Sequence, residues 1–324
     1  MARANIGGEA VLMTVRKIES ARRNAHWIMA WLCALAGAAG CLCGCARKSE
    51  PDGARDAAIA PAAAAPNSAV AQQEEPCVVE VNGRKLIVFG GGDGFCYAFD
   101  AKPENPGDDG KLKTVWKFDC NPPERKANDA AHKYPAAEGP SEVNATPVFY
   151  KNRIYVAVGQ DPEHGEGVGI LTCMDATKTG DITQTGKIWS YDKIHRSIST
   201  VSIDPETGLL FVGDFSGFLH CLDAETGKVY WTHDMKAHMW GSTLVADGKV
   251  YVGDEDGDLA VLAASKEKKL ISETNLAAAV YGTPVVANGA IYVQSNTHLF
   301  AFTDPTKTGA LKDEPQKIEI KLDK

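Results

Sequence analysis

Residues Leu209–Trp231 read LLFVGDFSGFLHCLDAETGKVYW. Leu209–Val212, Phe218–Leu222 and Val229–Trp231 are short apolar runs. Gly213-Asp214-Phe215-Ser216-Gly217 and Asp223-Ala224-Glu225-Thr226-Gly227-Lys228 separate them. Runs of this length, rich in aromatic and β-branched residues and bounded by Gly and Asp, are strands of an antiparallel meander. A single sheet of this kind cannot bury both of its faces, so the rest of the chain has to supply neighbours.

The pattern recurs on both sides. It appears upstream as Leu86–Gly90, Phe95–Asp100 and Val115-Trp116, then as Ile154–Gly159, Ile170–Asp175 and Lys187–Trp189. Downstream it appears as Val250–Gly253 with Asp258–Leu262, and as Ile291–Val293 with His298–Phe302. Asp223, Ala263 and Thr303 lie 40 residues apart, and Asp175 and Asp223 lie 48 apart. Lead-in segments at Thr146–Phe149, Ser199–Ser202, Ser242–Val245 and Thr283–Val286 bring each unit to four strands. A period near 40 with four strands per unit predicts an all-β propeller of four-stranded antiparallel blades. Five units are visible, the last ending in the alternating stretch Gln316–Leu322. A closed or nearly closed five-bladed ring is expected, because an open arc would expose two blade faces.

The segment from Asp223 through Thr226-Gly227-Lys228 to Trp231 resembles the tryptophan-docking signature of the PQQ-type, quinoprotein-like β-propeller repeat family. Thr185-Gly186-Lys187-Ile188-Trp189 has one spacer residue fewer, and Val115-Trp116 lacks the Thr-Gly. The resemblance implies that Trp116, Trp189 and Trp231 pack between blades. It gives Asp100, Asp175, Asp223 and Gly227 a structural part in blade docking. Family enzymes and assembly lipoproteins typically have eight blades, and the family contains both catalytic and non-catalytic members.

Residues 1–45 read as an address. Arg16, Lys17, Arg22 and Arg23 precede the apolar run Trp27–Gly40, the charged-then-apolar order of a secretion signal. Cys41 follows Ala38-Ala39-Gly40, and Cys45 has Leu42 three residues before it, so both are candidate lipidation sites. An uncleaved anchor is the other reading. Residues 46–75 are Ala, Pro, Gln and charged residues with no apolar period, a disordered tether. The propeller is assigned to residues 76–322. These segments predict a cell-envelope protein, membrane-anchored, with its propeller on the periplasmic side.

Residues 1–45 hold five of the 34 basic and two of the 42 acidic side chains, which leaves the remainder at a net charge of about −11. Such an acidic chain without a Lys/Arg-rich run is unsuited to nucleic acid. Five cysteines lie beyond the leader. Cys173 and Cys221 share one repeat position with Ala98, Val261 and Ala301, a small packed site. A Cys96–Cys120 disulfide in blade one stays open as a possibility. The acidic turn Asp254–Asp258 resembles the start of a calcium loop, yet its twelfth position is Ser265 rather than Glu. The turn therefore reads as hairpin chemistry.

The blades differ most in their connections. Residues 121–140 link blades one and two, and residues 159–169 interrupt blade two. The His233–Trp240 link, with two His and two Met, lies beside them. The candidate binding surface is therefore Arg125, His132, Tyr134, Glu138, His164, Glu166 and His238, mixed charged and aromatic groups on a rigid frame. The expected function is that of a non-catalytic binding or scaffold module with a protein or glycan partner in the envelope and no cofactor. The alternative is a quinoprotein dehydrogenase using PQQ with calcium. The missing vicinal cysteines and the missing Cys-x-x-Cys-His motif stand against it.

Overall fold

The computed structural model describes residues 16–18, 76–102, 111–121, 141–160 and 169–303. All of them belong to one compact unit, Met1–Ile18 with Ala69–Lys324. Among the described residues there is no helix, and the strands form five sheets. Strand β1 is Arg16–Ile18. Blade one contains β2 (Cys77–Val81), β3 (Arg84–Gly90), β4 (Phe95–Asp100) and β5 (Thr114–Asp119). Blade two contains β6 (Val148–Tyr150), β7 (Arg153–Val158), β8 (Ile170–Asp175) and, after the two-residue β9 (Gly180–Asp181), β10 (Lys187–Tyr191). Blade three contains β11 (Ser202–Ile203), β12 (Leu209–Gly213), β13 (Phe218–Asp223) and β14 (Val229–Asp234). Blade four contains β15 (Leu244–Ala246), β16 (Lys249–Gly253), β17 (Asp258–Ala263) and β18 (Leu270–Asn275). Blade five contains β19 (Val285–Ala287), β20 (Ala290–Gln294) and β21 (Leu299–Thr303). The four-stranded meander is as the sequence indicated. The outer edge of blade five is not: β1 pairs antiparallel with β21 there, Arg16 opposite Ala301, while residues 316–322 lie outside the described residues.

The blades share one irregularity. In blades one to four the ladder to the outer strand shifts register at Ala98/Phe99, Lys187/Trp189, Cys221/Leu222 and Val261/Leu262. A bulge there re-aims the side chain that follows the turn. That side chain is Trp116, Trp189 or Trp231 in the first three blades, paired across the ladder with Ala98, Cys173 and Cys221 respectively. In blade four Ser272 stands opposite Val261. Large faces small and small faces large, as close packing requires. This is why the cysteine position tolerates only small residues when a Trp lies opposite. Cys96, Cys120, Cys173 and Cys221 are all buried free thiols, so the 96–120 disulfide does not form in this structure. Burial pushes the Cys120 thiol up to about 12 and the Cys173 thiol up to about 11.

Seams between blades are made in two layers. Near the rim, the Trp189 Nε1 donates to the Ala224 carbonyl at 3.1 Å, and the Tyr155 hydroxyl donates to the same oxygen at 3.0 Å. The Trp231 Nε1 donates to Ser265 O at 2.8 Å. Trp189 lies against Gly227, whose φ is +73° and where a Cβ would meet the indole at 2.7 Å; only Gly permits both the turn and the approach. Trp116 is fully buried, its Nε1 has no partner, and its strand gains the short parallel strand β9 from blade two. Asp175 and Asp223 hold their own turns, accepting from Thr177 N at 2.9 Å and Thr226 N at 2.9 Å. Asp100 pairs with Arg84 of its own blade. At the inner edge, lead-in hydroxyls form a belt. Thr146 N donates to Thr200 Oγ1 (3.2 Å), Thr200 N to Ser242 Oγ (2.9 Å), and Ser242 N to Thr283 Oγ1 (2.9 Å). Each blade's free amide is satisfied by the next blade's hydroxyl, as buried backbone donors require.

Apolar cores fill the seams. Val88, Ala98 and Phe118 pack with Ile154, Val156 and Met174 between blades one and two. Tyr155 and Leu171 pack with Leu210 and Val212 between two and three, and Phe211 and Trp231 with Val250 and Leu262 between three and four. Smaller clusters around Leu259, Tyr251 and Val261 join blades four and five. The ring does not close at five. Val78 of blade one is 61% exposed and Val285 of blade five 54%.

Trp231→Ala is expected to cost about 3–5 kcal/mol, a buried aromatic truncation. Trp231→Phe keeps the ring packing on Phe211 and loses only the bond to Ser265, about 1 kcal/mol. Urea unfolding of both variants separates the two contributions; equal losses would contradict the division.

Candidate functional site

Strands β3, β7, β12, β16 and β20 all run toward the same end of the blades. The connections that leave the outer strands return across that end. Asn121, Ser141, Gln160 and Gly169, which flank connections 122–140 and 161–168, sit there. The feet of the first are tied: Asn121 Nδ2 donates to Ser141 O at 3.0 Å, and Ser141 N donates to Asn121 Oδ1 at 2.7 Å. Arg125, His132, Tyr134, Glu138, His164 and Glu166 lie outside the described residues, as do Cys41 and Cys45. Of the proposed surface, His238 is described. Its Nδ1 is 2.7 Å from Phe215 O, and its ring stacks on Phe215 at 4.4 Å and 14°.

That stack is part of a larger group. The Arg196 guanidinium lies 4.3 Å from the Phe215 ring centroid. Trp240 meets Phe215 edge-on at 4.8 Å and Tyr281 at 5.5 Å, and its Nε1 donates to Glu255 Oε2 at 3.1 Å. Phe215 is buried, whereas Trp240 and Tyr281 are exposed. The links between blades two and three, three and four, and four and five thus present Arg196, His238, Trp240 and Tyr281 over one buried Phe. Arg on an aromatic face keeps its charge while covering apolar surface.

Beneath the cluster runs a polar chain whose middle, Asp214 and His220, is buried and whose His195 end is exposed. Asp214, fully buried, opens the turn after β12. Its Oδ1 accepts Phe218 N at 3.0 Å. Its Oδ2 accepts His195 Nδ1 and His220 Nε2, each at 2.9 Å. The other nitrogen of His220, Nδ1, is 3.2 Å from the Tyr191 hydroxyl. With Asp214 ionised, His220 donates through Nε2 and accepts from Tyr191. Burial alone would raise the Asp214 carboxyl, but the bonds from His220, the Phe218 amide and His195 outweigh it and hold it below the usual range. No hydroxyl nucleophile joins this chain. Ser197 Oγ donates to Gly213 O and Ser199 Oγ to Gly241 O, both at 2.7 Å. Ser199, four residues from His195, thus spends its hydroxyl on a backbone carbonyl.

The equivalent of Asp214 in blade four is Asp254, also fully buried. Its Oδ1 accepts Asp258 N at 2.9 Å, but Oδ2 has no partner, because Ala260 stands where His220 stands in blade three. Burial, with Asp258 and Asp256 nearby, raises this carboxyl. Among the described residues no three His, Cys, Asp or Glu side chains converge as a metal site, and the described cysteines are separate thiols.

Residues 181–270 match the family model described as outer membrane protein assembly factor BamB. No curated protein sequence matches the chain. Among solved structures, BamB from Moraxella catarrhalis aligns with a TM-score of 0.52 at 18% identity, covering 74% of this chain and 60% of that one. The computationally designed Ika8 protein aligns at 0.47 with 10% identity, covering 67% and 55%. A europium-containing methanol dehydrogenase aligns at 0.44 with 15% identity, covering 63% and 42%. The chain thus spans less than two thirds of the BamB structure it matches. The repeat match together with the fold supports a PQQ-type β-propeller repeat family.

Asp214→Asn and Asp254→Asn should move stability in opposite directions. Asp214 is held ionised, so its contribution is complete above the unfolded-state carboxylate range and is lost as pH falls through the lowered folded value. Its loss leaves His220 without its acceptor, about 1–3 kcal/mol at pH 7. Asp254 is raised, so its ionised form opposes folding near neutrality and Asp254→Asn should raise the melting temperature there. Thermal melts as pH falls from neutrality would show the Asp254→Asn difference shrinking toward the unfolded carboxylate range, and the Asp214→Asn difference holding until pH drops below that range; a stabilising Asp214→Asn would contradict the assignment.

Proposed function

We propose that this chain is a non-catalytic binding or scaffold module of the cell envelope, whose partner is a protein engaged by the loop-bearing end of the blades. The observation that carries this reading is the aromatic and charged group Phe215–His238–Trp240–Tyr281 with Arg196 and Glu255. It stands at the end of the blades that also bears connections 122–140 and 161–168. Exposed aromatics backed by a rigid sheet are the side chains that dominate protein-binding energetics. The polar chain Tyr191–His220–Asp214–His195 fixes the loops beneath them, as supporting hydrogen bonds do for a preorganised surface.

Two further points favour a protein partner in the envelope. The family model matched by residues 181–270 is named for outer membrane protein assembly. The acidic balance disfavours nucleic acid. An N-terminal anchor at Cys41 or Cys45, followed by the tether at 46–75, would hold the propeller outside the inner membrane. This role requires no cofactor.

Replacing Trp240 and Tyr281 together by Ala is expected to abolish capture of the envelope protein recovered by the wild-type chain from membrane extracts. Both side chains are solvent-exposed, so the melting temperature should move little. Retained capture with an unchanged melting temperature would place the working surface elsewhere.

A further inference from the structure

Every internal seam joins the leading face of one blade to the trailing face of the next, and among the described residues one face of each kind is uncovered. Strand alternation places Val78, Ile87, Phe89, Tyr97 and Phe99 on the trailing face of blade one. Their neighbours Val79, Val88 and Ala98 are buried toward blade two. Val78 is 61% exposed and Phe89 45%, while Tyr97 and Phe99 stack at 5.9 Å and 21°. On blade five, Val285, Tyr292 and Ala301 share the leading face with Leu299, opposite the side on which Ile291, Val293 and Phe300 pack. Val285 is 54% exposed and Leu299 39%.

The seam between blades four and five is a template for joining these two faces. The leading face of blade four presents Leu244, Tyr251, Leu259 and Val261. Advancing by the repeat gives Val285, Tyr292, Leu299 and Ala301, the same residue types in the same order. The surface that receives the leading face of blade four includes Phe300 and Phe302, stacked at 6.2 Å and 19°. Their repeat equivalents in blade one are Tyr97 and Phe99. The uncovered leading face thus copies a face that already docks, and the uncovered trailing face copies its receptor. Among the described residues both faces stay exposed.

We propose that a second copy of this chain covers them: the blade-five face of each copy docks on the blade-one face of the other about a two-fold axis. A face pair that is heterologous within one seam becomes self-complementary when it is made twice. Continuity with the internal seams, together with apolar character on both faces, is what selects a second copy over an unrelated protein.

Sedimentation of the full chain in detergent tests this. Wild type is expected to be a dimer. Phe89→Asp and Val285→Asp should each weaken association by more than about tenfold, since each buries an unpaired charge in both seams. Mixing the two variants should restore pairing through one intact seam, because Val285→Asp keeps an intact blade-one face and Phe89→Asp an intact blade-five face, while both charges fall in the other seam. Far-UV circular dichroism confirms that each variant is folded. As a second measure, the double variant Ile87→Cys with Val285→Cys should oxidise to a product of two-chain mass, because Leu244, the repeat equivalent of Val285, packs with Ile291, the equivalent of Ile87. A wild-type monomer, undiminished association of both Asp variants, or a one-chain oxidised product would each overturn the proposal.

Discussion

A four-stranded sheet with apolar side chains on both faces has no stable existence alone, and that constraint governs this chain from Cys77 to Thr303. Each blade must find a neighbour on either side. The rim is joined where Trp189 and Trp231 donate to carbonyls of the following blade. The inner edge is joined where Thr200, Ser242 and Thr283 take up amides of the preceding blade. The apolar cores lie between these two hydrogen-bonded margins. Because each unit touches only its neighbours, stability is shared out along the chain seam by seam. The seams are unequal. Large buried side chains such as Phe211, Leu210 and Tyr155 fill the middle ones, while blade five contributes few fully buried residues.

The same constraint arranges the functional end. Seam packing fixes the positions of the strand ends, and each connection between blades then delivers one or two side chains over its neighbour. Arg196, His238, Trp240 and Tyr281 come from three successive links and meet only because blades two to five are held in register. The buried Asp214 belongs to this logic. It is a charge in the interior, tolerable because His195, His220 and a backbone amide satisfy it. Blade four keeps the Asp at the matching turn without the His. The repeat has retained a turn-forming residue there, leaving one oxygen unsatisfied.

The repeat itself was legible from the Gly-Asp turns and the apolar runs, and so was the small character of the Cys173 and Cys221 position. The reason for that character was not, since it depends on a register shift that brings Trp189 and Trp231 opposite those cysteines. Of the proposed binding residues, only His238 falls among those described. Phe215 and Tyr281 sit in short links that read as ordinary turns, whereas Trp240 closes the His233–Trp240 link already set beside the candidate surface. The Asp214–His220 pair did leave a trace: a His in a strand position that the other repeats fill with Tyr, Thr, Ala or Phe, six residues after an Asp.

Native-state hydrogen exchange followed amide by amide is the most direct test of a chain held together by its seams. Amides of Thr200 and Ser242, bonded across blades, and those of β12, β13 and β16 should exchange only through global unfolding. Amides of β19 and β20 should exchange faster through local opening of the last blade. Uniform protection across all five blades, or slowest exchange in blade five, would contradict the account.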